Sequence, residues 1–433
     1  MFGLRVISML WTLIGHSFAW IQGYVKNVDE FKDDLSNGFS SVLISNFTLS
    51  VDTFFVLSAT LTSYSYFRKY KSQGFQPYIT WFEWIVKWLK FYRHRLIRLW
   101  PSYLYTLSTV TFLLSSLHSH PMWEPTDPSV QCRLHGWKNV LFLNSVLGNE
   151  CMGWTWYIST EFIFYLISPI FLIAFTKSVW FGLALSSLTI ISSTLLQSLF
   201  FLNNDYPSSP IPYNQPSIFK GSFMKHVDEY YIKPQYRIGA YVVGIVLGYI
   251  LANMQKWKQE RSTDSRQLQF LLWSVCILFA IISLYGFYPV MQGWNWRLYH
   301  VLYGATHRVL WAVAIAILIY MCHADQGAFV NAFLSARIFL PFSSLCYSVY
   351  LIHLVMVFAV FLWVPFPIVY SGKHAVVALC IVQLLLSYIC ALSITLFTEF
   401  PALNIEKVLM RWSSQRAQHD AQKSYPLILN NKR

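Results

Sequence analysis

Charged residues are scarce in this chain of 433 residues: they make up 12% of it, whereas hydrophobic residues make up 55%, and the mean hydropathy is +0.43. A soluble domain does not need this much apolar surface, so the composition predicts a helical protein that crosses a membrane several times. Acidic residues are the scarcer charged class, with 19 against 32 Lys and Arg, and the formal net charge is +13. We attribute this excess to cytoplasmic loops rather than to a nucleic-acid-binding surface, and expect no nucleic-acid partner.

Several catalytic motifs are also missing. The sequence contains no Walker loop, no GxGxxG, no HExxH, no serine hydrolase elbow and no Cys/His set with the spacing of metal ligands. These absences disfavour nucleotide-hydrolysing and metal-dependent enzymes, and we expect no metal cofactor. The start of the chain also lacks the basic region and the small-residue cleavage site of a signal peptide, so we expect the first apolar helix to act as its own insertion signal.

Hydropathy instead predicts an all-α integral membrane protein of about ten transmembrane helices. The predicted spans lie at 4–23, 50–67, 99–117, 153–175, 178–201, 236–254, 268–287, 304–323, 341–363 and 374–397. An even number of spans places both termini on the same side of the membrane.

The charges of the loops predict which side that is. The loop at 68–98 carries eight cations against a single acid, Glu83, whereas the loops at 24–48 and 118–151 carry more acids than bases. The eight cations are Arg68, Lys69, Lys71, Lys87, Lys90, Arg93, Arg95 and Arg98. By the positive-inside rule we expect both termini to lie in the cytoplasm. The expected location is the plasma membrane or the endoplasmic reticulum.

The positions of the cysteines agree with this orientation. Five of the seven lie in or at the ends of predicted spans, whereas Cys132 and Cys151 share a loop predicted to be on the outer side. Because that side is oxidising, we predict a disulfide between them, the alternative being two free thiols.

The first predicted helix carries two ionisable residues, Arg5 and His16. At a rise of about 1.5 Å per residue they lie roughly 16 Å apart, so Arg5 can lie at a membrane face while His16 lies near the midplane. Ionisable groups at that depth are costly and often functional. We interpret His16 as a general base, with Asp52 or Glu161 fixing its tautomer, and the residues leave open which of the two is closer.

Other ionisable residues also fall within predicted spans. For Asp52 and Arg308, a structural ion pair and a functional role are both compatible with the pattern. For His353, in SVYLIHL, a packing role is the favoured interpretation. Tyr157 or Trp156 is a candidate donor to an oxyanion, the least supported of these roles.

A second group of candidates precedes the third predicted span. Residues 81–98 are expected to form an interfacial helix that ends in a pair of arginines, Arg95 and Arg98. Being three residues apart, the two guanidinium groups share a helix face and suit bidentate phosphate binding. Spacing alone slightly favours the alternative that they contact lipid headgroups.

Together these segments resemble the acyltransferase-3 family, and within it the animal branch of nose resistant to fluoxetine proteins. The resemblance rests on the order and spacing of seven segments. They are GLRVISMLWTLIGHS at 3–17, ISNFTLSVDTFFVLSA at 44–59, YRHRLIRLWPSYLY at 92–105, NSVLGNECMGWTWYIST at 144–160, HRVLWAVA at 307–314, YSVYLIHL at 347–354 and TEFPALNIEK at 398–407.

The resemblance implies a function and roles for individual residues. The family's signature of a basic residue, ten other residues and then His is matched by Arg5 and His16, which makes His16 the expected catalytic histidine. Its RxxR motif is matched by Arg95 and Arg98, which with Arg5 are expected to bind acyl-CoA from the cytoplasm. The expected activity is transfer of an acyl group from acyl-CoA to a hydroxyl acceptor of unknown identity.

The resemblance also implies a domain organisation. Residues 1–400 are expected to form the transmembrane acyltransferase domain and 401–433 a cytoplasmic tail, without the secreted cysteine-rich domain that animal members usually carry. Membrane lipids are the expected partners. The rival interpretation is a lipid or small-molecule transporter whose polar midplane is a substrate pathway without catalysis.

Overall fold

Long helices dominate the protein. The computed structural model describes residues 2–72, 80–113, 128–260, 266–363 and 367–409. Within these residues we number the ten longest helices α1 to α10. They are α1 Phe2–Trp20, α2 Leu49–Ser72, α3 Trp81–Ser108, α4 Trp156–Lys177, α5 Val179–Asn203, α6 Ile238–Glu260, α7 Arg266–Tyr285, α8 Arg297–His323, α9 Phe339–Trp363 and α10 Lys373–Ile394.

The predicted all-α membrane fold is confirmed, and one of these helices lies at each predicted span. Seven helical segments of the described chain are long and apolar enough to cross a membrane, and the bent pair Phe39–Ser45 and Leu49–Ser72 would make eight. The other two helices are not long and apolar enough to count as membrane spans, for separate reasons. The first half of α3 is strongly cationic, and the apolar part of α6, Ile238–Met254, is short. The predicted tail beyond residue 409 and the end of the predicted third span, 114–117, lie outside the described residues.

The helix predicted at 81–98 does not end before the third predicted span. Residues 81–108 form one continuous helix, α3, which runs through Pro101 and continues as a π-helical turn at Thr109–Leu113. A capping box at Thr80 and Glu83 starts it, because each side chain accepts a hydrogen bond from the other residue's backbone N–H. The basic residues therefore belong to the same rigid element as the membrane-facing part of the helix.

Helices α2 and α6 approach each other through glycine. A Cβ atom on Gly244 would lie 2.6 Å from the backbone oxygen of Val56, and one on Gly248 would lie 2.6 Å from that of Thr60. Small residues four apart let two helix backbones come this close in a membrane. The hydroxyl of Ser63 adds a hydrogen bond of 2.8 Å to the backbone oxygen of Ile245.

Helix α1 packs in the interior, against α2, α9 and α10. Its polar residues are satisfied there: Thr12 lies 2.7 Å from the hydroxyl of Ser50, and Ser17 donates to the amide oxygen of Gln383. Phe47 packs directly on Gly15, since a Cβ at that position would overlap its ring. These contacts fix the rotation of α1 and direct His16 towards α9.

Outside the helical bundle, Cys132 and Cys151 form a disulfide, which ties helix Pro128–Val140 to the segment before α4. The same two segments are joined by an ion pair of 2.9 Å between Lys138 and Glu150. Both links position the N-terminal end of α4, which carries Tyr157 and Glu161.

A second extramembrane contact holds helix Val28–Asn37 against the start of α10. Asp34 accepts hydrogen bonds from Lys373, at 2.8 Å, and from the hydroxyl of Tyr370, at 2.5 Å. Partial burial acts to raise the pKa of Asp34, but these two hydrogen bonds outweigh it and hold the pKa below its usual value.

Candidate functional site

A large basic cavity lies between the N-terminal end of α1 and helices α2, α3, α4 and α9. Its volume is about 1020 Å³, which is in the upper range for small-molecule sites. Seven cations and three carboxylates line it. The cations are Arg5, Lys69, Lys87, Lys90, Arg93, Arg95 and Arg98, and the carboxylates are Glu83, Glu161 and Glu406. The excess of positive charge suits an anionic ligand, and we call this space the basic cavity.

The three arginines predicted from the sequence all line the basic cavity, but they differ in their partners. Arg95 forms a buried ion pair with Glu161. Arg98 is half exposed and its Nε lies 3.9 Å from Glu399. Arg5 forms no ion pair within the described parts of the chain. Arg5 and Arg98 therefore keep more of their charge available to a ligand than Arg95 does.

Tyrosine rings separate the basic cavity from the predicted base. Tyr157 and Tyr350 both line the cavity, and their ring centroids are 5.5 Å apart. The ring of Tyr350 also packs 5.5 Å from that of His353. The hydroxyl of Tyr350 donates to the backbone oxygen of Trp154, which fixes the position of this layer.

His16 and His353 form a hydrogen-bonded pair between α1 and α9. Nδ1 of His16 lies 2.9 Å from Nε2 of His353, and the rings stack with centroids 5.0 Å apart. His353 is fully buried, whereas His16 retains accessible surface. Nδ1 of His353 lies 2.7 Å from the backbone oxygen of Tyr350.

This chain of contacts determines the tautomer of both neutral rings. A backbone carbonyl can only accept, so Nδ1 of His353 must carry a proton and donate it to Tyr350. Nε2 of His353 is then an acceptor, and Nδ1 of His16 must donate to it. The lone pair of His16 therefore lies on Nε2, the nitrogen that faces away from His353, which is the arrangement a general base requires.

The predicted carboxylate partners of His16 need correction. Glu161 accepts from Ser58 at 2.5 Å and pairs with Arg95, while Asp52 pairs with Arg237 at 2.8 Å. Each buried carboxylate is held by a guanidinium group, since an unpaired charge at this depth is costly. His353, predicted to have a packing role, occupies the orienting position instead.

Asp52, Arg237 and Arg308 form a second buried group away from the basic cavity. Asp52 and Arg237 have no exposed side-chain surface, and the guanidinium of Arg237 also packs 4.4 Å from the ring centroid of Tyr231. Asp52 and Arg308 do not form the ion pair that the sequence suggested, because Arg237 takes that place. The pair of Asp52 with Arg237 joins α2 to the start of α6.

Replacing Asp52 with Leu is expected to lower the free energy of unfolding by about 3–5 kcal/mol, because Arg237 would be left buried without its counter-charge. Unfolding of the purified protein in detergent micelles measures this. The double variant Asp52→Leu/Arg237→Met should regain part of the loss. As a control, Asp205→Leu removes an exposed ion pair with Lys220 and should change stability by less than about 1 kcal/mol. Equal stability of Asp52→Leu and wild type would contradict a stabilising role for the buried pair.

Some residues around the candidate site were not predicted from the sequence. Arg237 precedes α6 by one residue and is the second residue of the predicted span 236–254, where a cation is typical of a membrane face rather than of a buried site. Glu399 lies in a π-helical turn after α10, two residues beyond the predicted end of the last span. Tyr350 stands three residues before His353, and that helical spacing was the available signal for a shared role. Among the described residues, no group of three or more His, Cys, Asp or Glu side chains is arranged to hold a metal ion.

The fold and the polar groups inside it define a multi-pass helical membrane protein with a basic internal cavity beside a histidine pair. The sequence matches the acyltransferase domain over residues 3–397, and the chain belongs to the acyltransferase-3 family.

Two curated relatives are similar to most of this chain. It is 26% identical over 426 residues to "Nose resistant to fluoxetine protein 6" of Caenorhabditis elegans, covering 94% of this chain and 51% of that protein. It is 27% identical over 423 residues to "Regulator of hypoxia-inducible factor 1" of the same organism, covering 92% of this chain and 78% of that protein. The chain thus spans about half the length of the first relative. No solved structure matches.

Proposed function

We propose that the protein is a membrane O-acyltransferase that moves an acyl group from acyl-CoA to a hydroxyl acceptor, with His16 as the general base. The observation that carries this proposal is the hydrogen-bonded chain from the carbonyl of Tyr350 through His353 to His16. It leaves a free lone pair on Nε2 of a partly accessible imidazole. Membership of the acyltransferase-3 family supports the reaction class.

The basic cavity is the proposed site of acyl-CoA. Its phosphates would lie near Arg5 and Arg98, with Arg95 held by Glu161 as part of the wall. In this proposal the cavity opens, and both chain termini lie, on the cytoplasmic side, because the segment 68–98 is rich in basic residues and the positive-inside rule favours that side. The acyl chain would point past Tyr157 and Tyr350 towards the histidine pair.

The reaction balances with the groups named. Nε2 of His16 takes the proton of the acceptor hydroxyl as its oxygen forms a bond to the thioester carbon. The bond from that carbon to sulfur then breaks, and the CoA thiolate leaves with the proton that His16 returns. Tyr157 is the proposed donor to the oxyanion, because its ring borders the cavity on the side of the histidine pair.

Release of free CoA from acyl-CoA by the purified protein in lipid nanodiscs tests the proposal, with total lipid extract supplying acceptors. Turnover that requires both the protein and the extract, and yields an acylated product, is the expected result. Absence of acyl-CoA binding would refute the proposal and leave transport of a lipid or small molecule as the candidate function.

Arg98→Gln is expected to raise KM for acyl-CoA by about 10–100-fold, the cost of losing a hydrogen bond to a charged group. The same variant should leave KM for the matching acyl-pantetheine unchanged, because that substrate lacks the CoA phosphates. Arg337→Gln is the control, since Arg337 is exposed and lies outside the cavity. Steady-state kinetics with both substrates measures the difference. An equal effect on both substrates would show that Arg98 does not bind phosphate.

A further inference from the structure

A second buried polar site lies outside the basic cavity, around Arg308 of α8. This side chain is 2% exposed, and none of its three guanidinium nitrogens has a hydrogen-bond partner among the described residues. Arginine stays protonated in proteins, so the charge cannot be removed by titration. Buried polar groups of native proteins are almost always hydrogen-bonded, and this one therefore indicates a ligand.

The surroundings of Arg308 are aromatic and carry a net positive charge. The guanidinium carbon lies 4.6 Å from the ring centroid of Tyr230 and 5.8 Å from that of Tyr231. The ring of Tyr231 also contacts Arg237, whose Nη2 is buried without a partner. Asp52 neutralises only one of the two arginines. The faces of the tyrosine rings attract the positive charge of the guanidinium. They do not accept hydrogen bonds from its N–H groups, which point outward in its own plane.

Within the described parts of the chain, the other groups near Arg308 are either neutral or engaged elsewhere. In the segment before α6, Glu229 pairs with Lys225 at 3.7 Å and accepts from Tyr206 at 3.1 Å. His226 is buried, and neither of its ring nitrogens has a hydrogen-bond partner in the described structure. Burial, and then the charge of Arg308, lower the pKa of His226 to about 3, so this ring is neutral.

On the α8 side, His307 donates from Nδ1 to the backbone oxygen of Tyr303 at 2.8 Å, which leaves a lone pair on Nε2. His307 thus adds no negative charge. Arg237, Arg308 and Asp52 together carry one positive charge inside the protein that no described neighbour compensates. Such a charge is stable there only with a counter-ion.

We propose that Arg308 and Arg237 hold a small monovalent anion of the chloride class, which neutralises this buried group. The N–H groups of Arg308 and the free Nη2 of Arg237 are the donors, and the rings of Tyr230 and Tyr231 form the apolar wall. The site is separate from the proposed acyl-CoA cavity and does not depend on acyl transfer. It makes the assembly of α2, α6 and α8 dependent on an anion.

Thermal unfolding of the purified full chain in detergent tests the proposal, with chloride replacing gluconate at constant ionic strength. We expect a saturable rise of the midpoint on the order of 2–4 °C. Arg308→Met should lose this response. Arg297→Met, on an exposed arginine of the same helix, should keep it. No chloride-specific rise in wild type, or an equal rise in Arg308→Met, would overturn the proposal.

A second measurement does not depend on whether Arg308→Met folds. Wild-type protein should bind radiolabelled chloride saturably at close to one ion per chain, and bromide should displace it. Displacement by acetate as well would support the same site with carboxylates included in its ligand class. Absence of saturable binding would mean that water alone solvates the arginines, and the proposal would fail.

Discussion

His16→Ala is expected to abolish release of CoA from acyl-CoA, with a loss of about 10²–10⁴-fold, the range that general base catalysis contributes. Neither Glu161 nor Asp52 can take over the role of Nε2 of His16, because each carboxylate is held by an arginine. Binding of acyl-CoA should survive, since His16 does not line the basic cavity. Turnover in nanodiscs together with equilibrium binding of acyl-CoA measures both quantities.

The control for this variant is His374→Ala, which removes an exposed histidine outside the histidine pair and should retain wild-type turnover. His16→Gln separates catalysis from transport. Glutamine can hydrogen-bond a substrate but cannot take its proton, so an enzyme loses activity while a transporter keeps part of its flux. CoA release by His16→Ala at the wild-type rate would refute the role of His16 as a base.

The helices could be predicted from the sequence because a bilayer allows few alternatives. A segment inside hydrocarbon must satisfy its own backbone hydrogen bonds, so long apolar runs become helices wherever they occur. The spacing of Arg5 and His16 along α1 follows from the helix itself, and in the structure Arg5 lines the basic cavity while His16 lies in the interior histidine pair.

The partners of the buried charges could not be predicted in the same way. His16 and His353 are 337 residues apart in sequence, and nothing in either segment specifies that α1 and α9 are neighbours. A carboxylate was the expected partner because carboxylates commonly orient histidine. In the fold, Arg95 of α3 pairs with Glu161. Arg237, which precedes α6, pairs with Asp52. Helix packing decides these pairings, and it depends on details such as the glycine contact between α2 and α6.

The role of His353 can be separated from mere packing by two substitutions of similar size. His353→Leu removes the acceptor for Nδ1 of His16, so His16 loses the contact that keeps its lone pair on Nε2. We expect kcat to fall by about 10²-fold, part of the contribution of the general base, with KM for acyl-CoA unchanged. His353→Gln should stay within about 10-fold of wild type, because one amide can accept from His16 through oxygen and donate to Tyr350 through nitrogen.

Nitrogen-15 NMR of histidine-labelled protein supplies a readout that does not depend on activity. The signals that disappear in His16→Ala identify His16, and in wild type they should report a protonated Nδ1 and an unprotonated Nε2. In His353→Leu the same signals should shift towards a mixture of tautomers, and in His353→Gln they should not. If His353 instead passed protons itself, Gln would be as inactive as Leu, because an amide does not titrate. That outcome would make His353 a proton carrier rather than a positioning residue, whereas rescue by Gln together with the retained tautomer establishes that its hydrogen bonds, and not its basicity, support His16.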